Sequence, residues 1–442
     1  MPKNIYNSWG FTANPFLQTS LEADETGARL LIGRTVELGK LENALVTPPR
    51  IPTLEGINGV GKTSLANVAT YNLYRQFVNG DLADVFLPCR KRFQISPATD
   101  TEEFINDIFT YVAKTIIEFK TSVIDQSHGL ENFREVEKWL TSPLSKSMQG
   151  SLSIPSIGGI SGGGGAAFNT GMGFSRTGFR SQVKEWLAQM FTQEGKGGVV
   201  CIIDNLELLE TSEALRRCIE ALRDEVLTVP GIRPILCGAN GIVLSILSSP
   251  RLAGILQRPV EVRPLSLDRS HEILESRIQA FQLVPNGGYL PITAQSFLML
   301  YEWLGRNLRS LLQYADDYCS YVADSGNDPK SDEEKTELFL EWFDNIAGEV
   351  YKACDTRLTQ RAWKLLSDLI AQGGVASPSD YSDFDFNSLE AMRPYSKALE
   401  DTNLVVTTRE EADKRRKSLS VTANGYLADH YQKKEMQKWR DI

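Results

Sequence analysis

Short apolar runs recur through the first 265 residues, each followed by a stretch with helical spacing. The runs are 51–56 (IPTLEG), 83–95 (ADVFLPCRKRFQI), 197–204 (GGVVCIID) and 233–239 (RPILCGA), with a brief one at 260–262. Between them, apolar positions recur every three to four residues from Lys62 to about Phe77, from Thr101 to Phe119, from Phe179 to Glu194 and over 211–227. Asp100-x-x-Glu103 opens the second of these like a capping box. GGVVCIID is apolar almost throughout, as a strand covered on both faces requires. Strand and helix in alternation predict a doubly wound parallel sheet, an α/β fold. Ahead of it, residues 1–50 form a lead-in in which Leu38, Leu41 and Leu45 share one helical face. The α/β core then spans 51–265. It is interrupted at 150–178 by a Gly/Ser-rich insert, which reads as a disordered linker, a hairpin reaching into an oligomer pore or onto DNA, or a partner-gated element; its apolar residues favour a mobile hairpin that orders on assembly. The pattern is purely helical over 266–324. A polar linker and connecting helix follow over 325–356, and a last unit with helices, a Gly-containing turn and a charged loop occupies 357–442.

Composition narrows the class. The 442 residues are 42% hydrophobic and 23% charged, ordinary globular values for a chain of two to four domains. Lys+Arg 47 against Asp+Glu 56 gives a net charge of −9, which excludes a general nucleic-acid-coating protein and leaves room for a local basic patch. Six scattered cysteines without a CxxC read as reduced thiols, and three distant histidines argue against a His-based metal site. The N-terminus has no apolar signal core, and no run approaches the ~20 apolar residues of a membrane span. The expectation is a cytoplasmic protein with no membrane partner.

The chemistry concentrates at Gly56-Ile57-Asn58-Gly59-Val60-Gly61-Lys62-Thr63, which fits G-x-x-x-x-G-K-[ST] between a predicted strand and a predicted helix. Glycines at this spacing let backbone N–H groups wrap a phosphate at a helix N-terminus. The cofactor-binding set is therefore Gly56, Asn58, Gly59, Val60, Gly61, Lys62, Thr63 and Ser64. Lys62 would neutralise phosphate oxygens of ATP, and the Thr63 hydroxyl would ligate Mg²⁺. The apolar strand 199–203 ends in Asp204, the second magnesium ligand. Asn205 follows where many P-loop ATPases carry a Glu. A carboxamide can orient a water and cannot take its proton, so hydrolysis is expected to be slow unless Glu207 reaches the water.

At these residues the chain resembles the AAA+ superfamily, in particular its replication-initiator (origin-recognition) and STAND-like branches, over about residues 14–320. Asn14-Pro15-Phe16 and Leu31-Ile32-Gly33-Arg34-Thr35-Val36-Glu37-Leu38 are similar to the family's N-terminal segment. That likeness implies that Leu31, Ile32 and Gly33 lie over the adenine. The strand 233–239 ends at Asn240, where the family has its first sensor. Gly305-Arg306-Asn307-Leu308-Arg309 resembles the second sensor of a helical lid, which puts Arg309 at the γ-phosphate. Arg306 stands where a second glycine is common. Members of the family assemble so that an arginine of one subunit completes its neighbour's site, and Arg251 and Arg258 lie roughly where that residue belongs.

Residues 357–442 resemble a winged helix-turn-helix. Asp413 to Gly425 is similar to the wing and following helix of MarR-type repressors. Lys414, Arg415, Arg416 and Lys417 would touch phosphate from the wing, and Arg393 and Lys397 would lie on the third helix. That helix also carries Glu390, Glu400 and Asp401. Two functions stay open. One is an ATP-switched AAA+ ATPase that forms homo-oligomers and engages double-stranded DNA in replication, transposition or antiviral defence. The other is a STAND-like switch whose winged helix docks a protein effector, for example a partner nuclease. No nuclease, protease or toxin motif is present in the chain itself.

Overall fold

The computed structural model describes residues 4–47, 50–96, 98–123, 140, 176–191, 197–209, 212–239, 241–247, 249–252, 254–285, 287–410 and 416–440. The Gly-rich insert up to residue 175, together with Asn240, Lys414 and Arg415, lies outside them.

The chain opens with α1 (Ile5–Ser8), α2 (Glu25–Leu30) and α3 (Thr35–Val46). The α/β module follows as β1 (Thr53–Glu55), α4 (Lys62–Val78), β2 (Phe86–Gln94), α5 (Thr101–Val123), α6 (Arg176–Met190), β3 (Gly198–Asp204), α7 (Ser212–Leu222), β4 (Ile232–Gly238), α8 (Ile242–Ile246) and β5 (Val260–Glu261). The strands form one parallel sheet in the order β2-β3-β4-β1-β5. Residues of β3 alternate between two cores. Val200 and Ile202 face Leu65 and Leu73 of α4, and Val199, Cys201 and Ile203 face Phe109 of α5 and Trp186 of α6. That two-sided burial accounts for the unbroken apolar run, and the sheet is doubly wound as predicted. Helix α5 starts where expected, with Asp100 accepting the Glu103 N–H at 2.8 Å.

Strand β2 departs from simple pairing. Phe86 to Pro88 pair with Gly198 to Val200, and then Arg92 to Gln94 pair with Ile202 to Asp204. The two extra residues form a bulge, a device that re-aims side chains near functional sites. Here it brings Arg92 and Gln94 level with the carboxyl end of β3.

The second body is helical: α9 (Arg269–Phe281), α10 (Ala294–Trp303), α11 (Leu308–Ser325) and α12 (Asp332–Asp355). The stretch read as linker and connecting helix is residues 326–331 followed by α12. A capping box between Ser331 and Glu334 starts this helix, and its acidic first turn suits a helix N-terminus. Phe339, Trp342 and Phe343 of α12 share a core with Phe297 and Leu300 of α10 and with Tyr6, Phe11 and Phe16 of the lead-in. The lead-in therefore packs on the lid, and its Tyr6 hydroxyl donates to Asp316 at 2.5 Å.

The C-terminal unit comprises α13 (Gln360–Ala371), β6 (Val375–Ala376), a 3₁₀ turn (Pro378–Phe384), α14 (Leu389–Asp401), β7 (Val405–Glu410), β8 (Arg416–Val421) and α15 (Ala423–Arg440). Its strands form an antiparallel sheet in the order β6-β8-β7, over a core that includes Trp363, Leu366, Met392 and Leu419. Trp363 is buried in that core. Helix α15 lies along α12. Lys434 pairs with Asp344, and the His430 ring sits 4.5 Å from Trp303. Gly305, at the end of α10, has φ +66°, and a Cβ there would lie 2.2 Å from Cζ of Tyr426. Only glycine admits both that backbone and that ring.

Candidate nucleotide-binding cleft

The cleft opens at the carboxyl ends of β1 and β3, where the strand order reverses and α/β sheets take their ligands. Its volume is about 410 Å³, within the small-molecule range. Asn58, Gly59, Val60, Gly61, Lys62, Thr63 and Ser64 line it, as do Asp204 and Asn205. Gly56 shapes the turn from behind. Lys62 is buried, and its Nζ donates to the carbonyls of Gly56 (2.9 Å) and Ile57 (3.3 Å). Phosphate oxygens would compete for that ammonium. The Thr63 hydroxyl donates to Asp204 Oδ2 at 2.5 Å. Two hard oxygen ligands held this close at the cleft wall fit a magnesium ion. Asn205 has φ +57°, a left-handed conformation that Asn tolerates and Glu does not favour, and its N–H bonds Asp204 Oδ1 at 2.9 Å. The turn that aims Asp204 thus gives a local reason for Asn at this position.

The lid closes the far wall. Leu265, Ile273, Leu308, Arg309 and Leu312 line the cleft. Asn307, the N-cap of α11, accepts the N–H groups of Arg309 and Ser310 and donates through Nδ2 to the Asn58 carbonyl at 2.8 Å. A Cβ at Gly59 (φ +82°) would lie 2.5 Å from Asn307 Oδ1, so the P-loop glycine admits the lid as well as a phosphate. Arg306 has φ +59°, which explains why glycine is the easier residue there.

The apolar end holds Leu30, Leu31 and Ile32. Gly33 does not line the cleft; it turns the chain beside Leu265. Arg34, 3% exposed, pairs with Glu37 (3.0 Å) and donates to the carbonyls of Val60 (3.0 Å) and Arg263 (2.7 Å), tying the P-loop to the end of the sheet. The segment 18–21 completes the wall and is held by Leu21, whose N–H bonds Ser64 Oγ (3.1 Å) and whose carbonyl accepts from Asn67 (2.7 Å).

Behind the P-loop lies an acidic pair. Glu55 is 8% exposed and accepts from Gly241 N–H (2.9 Å) and Val243 N–H (3.0 Å). Burial pushes its carboxyl up to about 7, against the pull of those N–H groups and of Lys62. Glu207 does not line the cleft. It accepts a hydrogen bond from the Asn58 side chain, burial raises its pKa, and its Oε2 has no partner among the described residues.

Arg251 and Arg258 lie outside the cleft of their own chain. Arg251 is exposed and pairs with Glu220 at 3.8 Å, and Arg258 is exposed in a separate groove beside Lys40 and Arg50. Arg393 and Lys397 are exposed one turn apart on α14. Arg416 and Lys417 belong to β8. Among the described residues no cluster suits a further metal ion, and no helix is long and apolar enough to cross a membrane. Sequence reasoning missed Glu55, Arg92, Arg277 and Asn307. Asn307 alone carried a sequence cue, an Asn directly before a helical run.

No family model and no curated protein matches the sequence. Solved structures align with it over most of its length. A Walker-type ATPase of Pyrococcus abyssi aligns over 95% of this chain and 99% of its own, at 13% identity and a TM-score of 0.45. The Aeropyrum pernix ORC2 protein, solved as ADPNP–ADP complexes, aligns over 97% and 100%, at 10% identity and a TM-score of 0.47. The Cdc6p protein of Pyrobaculum aerophilum aligns over 97% and 99%, at 14% identity and a TM-score of 0.41. The chain's own elements make an α/β fold, a five-stranded parallel sheet whose P-loop faces a helical lid.

Proposed function

We propose that this chain is an ATPase switch that binds Mg·ATP in the cleft, hydrolyses it slowly, and uses the position of the lid to self-assemble and to bring its C-terminal unit onto double-stranded DNA. One observation carries the reading: P-loop and lid share a single cleft, with Asn307 bonded to the Asn58 carbonyl and with Arg309 and Lys62 both in its lining. A phosphate bound by the P-loop then necessarily meets the lid. Lys62 and the loop N–H groups would hold the phosphates, and Thr63 and Asp204 would hold a magnesium ion, which when bound would supply charge neutralisation at the phosphates. Asn205 orients water without accepting its proton, which sets a slow rate. Arg258 and Arg251, exposed away from the cleft, are the candidates to complete a neighbour's site in a homo-oligomer.

The C-terminal unit reads as a winged helix, with helices ahead of an antiparallel hairpin. Arg393 and Lys397 offer one exposed positive edge on α14, and the sequence adds four consecutive cations at 414–417. The setting that fits is a regulatory or loading ATPase in DNA transactions or in DNA-directed defence. Exposed Glu390, Glu400 and Asp401 on the same helix favour a second reading, in which that face docks a protein effector. ATP turnover with and without double-stranded DNA, with Lys62→Ala as the blank, separates the two. Stimulation by DNA supports the first. Slow turnover indifferent to DNA supports the second. Turnover equal to the blank removes both.

A further inference from the structure

The lining of the cleft contains two polar groups that no step above uses. Arg277, on α9 one turn beyond Ile273, is 6% exposed and lines the cleft. Its Nη1 donates to the Pro15 carbonyl at 2.7 Å and reaches that of Leu17 at 3.5 Å, which holds the lead-in against the lid. Its Nε is buried with no hydrogen-bond partner, and no carboxylate pairs with the guanidinium, among the described residues. A buried cation without a counter-charge is costly. Burial pushes this guanidinium down to about 10. Across the same cleft, the Ser20 hydroxyl is also buried and without a partner. Buried polar groups in folded proteins are nearly always satisfied, so an orphaned N–H and an orphaned hydroxyl lining one cavity ask for a ligand with acceptor atoms.

Phosphate oxygens are accounted for at the other end, by the P-loop N–H groups, Lys62 and Arg309. Resting on the reading of this cleft as a nucleotide site, we infer that Arg277 Nε and Ser20 Oγ read the nucleoside end of the nucleotide. They hydrogen-bond acceptor atoms of the base or ribose and so help set which nucleotide the cleft accepts. A guanidinium donates only, so the matching ligand atom is a ring nitrogen, a carbonyl oxygen or a ribose oxygen, and an exocyclic amino group at that point is rejected. The same arginine ties down Pro15 and Leu17, so recognition of the nucleoside and closure of the lead-in depend on one side chain.

The test is calorimetric titration of ATP and ADP into the full chain and into Ser20→Ala and Arg277→Lys. Ser20 Oγ bonds nothing among the described residues, so its removal leaves the fold intact, and matched thermal melts check this. Arg277→Lys keeps the charge and loses the Nε donor. The expected result is a loss of about threefold to tenfold for Ser20→Ala and about tenfold to hundredfold for Arg277→Lys, the same for ATP as for ADP. An equal loss means contacts that do not count phosphates. With 2′-deoxy-ATP, a Ser20→Ala effect that vanishes assigns the hydroxyl to the ribose, and one that persists assigns it to the base; both agree with the inference. A loss larger for ATP than for ADP puts Arg277 on a phosphate and overturns it, as does unchanged binding by both variants. If the wild type binds neither nucleotide, the reading of the cleft itself falls, a different failure from wild-type binding that the variants leave untouched.

Discussion

Glu55 stands directly before the phosphate loop, buried between that loop and the start of α8, and its carboxyl titrates near neutrality. The sign of its effect follows from linkage. In the unfolded chain the group loses its proton near its ordinary value of 4.5, and in the folded chain it holds the proton up to about 7. Folding therefore retains a proton between those values, and stability falls as pH rises from about 4.5 to about 7, then levels off. At about 1.36 kcal/mol per pKa unit, the buried carboxylate costs about 3 kcal/mol above pH 7 relative to its neutral form. Glu55→Gln removes the titration. It also removes one acceptor, because a single amide oxygen cannot serve both the Gly241 and Val243 N–H groups and the NH₂ opposes the other; that costs about 1–3 kcal/mol at every pH. The variant should be less stable than wild type at pH 5, and the gap should close by about 3 kcal/mol, or reverse, by pH 8. Urea unfolding at pH 5, 6, 7 and 8 measures this. Glu207 faces Glu55 and is also raised by burial, so the wild-type slope contains both groups and the difference between proteins isolates Glu55. Parallel slopes in the two proteins would show that Glu55 ionises in the ordinary carboxylate range and that the burial reasoning is wrong.

Other substitutions probe the lid and the C-terminal unit. Arg306→Gly relieves a left-handed non-glycine residue and should raise stability by roughly 1 kcal/mol, read as a higher Tm. Gly305→Ala drives a methyl group into Tyr426 and should cost about 2–4 kcal/mol; Tyr426→Ala in the same chain should recover part of that loss, measured as a double-mutant cycle. If Arg309 meets the γ-phosphate as proposed, Arg309→Ala should lower ATP turnover about 10²- to 10³-fold while ADP affinity changes little. Replacing both Arg393 and Lys397 by Ala should reduce the salt dependence of DNA binding by roughly two phosphate contacts, seen as a shallower slope of log affinity against log salt.

What the sequence discloses and what it hides divide along a physical line. The P-loop, Asp204 and the alternation of strands with helices are legible because each rests on a local rule: a fixed spacing, an apolar run buried on both faces, or a helical period. The other walls of the cleft come from long-range approach. Asn307 meets Asn58 across 249 positions, and Arg277 meets Pro15 across 262. No local pattern announces either pair. The stretch read as linker shows a different limit. Ser331-Asp332-Glu333-Glu334 is polar because it caps a helix, and those same polar residues read as a loop until the buried face of Phe339 and Phe343 is seen against the lid. Arg92 was hidden by the bulge in β2, since an unbulged strand would place another residue level with Ile202.

Helix α12 has a mechanical consequence. Its 24 residues span about 36 Å at 1.5 Å per residue. Its aromatic face is locked into the lid core, and α15 is fastened along it by Lys434 against Asp344 and by His430 against Phe343. The helix runs from the lid core, which it enters through Phe339 and Phe343, to the C-terminal core, which it enters through Cys354. Turning an arm of that length by about 10° about one end would sweep its other end through about 6 Å, roughly the pitch of one helical turn. A small rotation of the lid carried by this helix would thus reach the C-terminal unit as a shift of a full step.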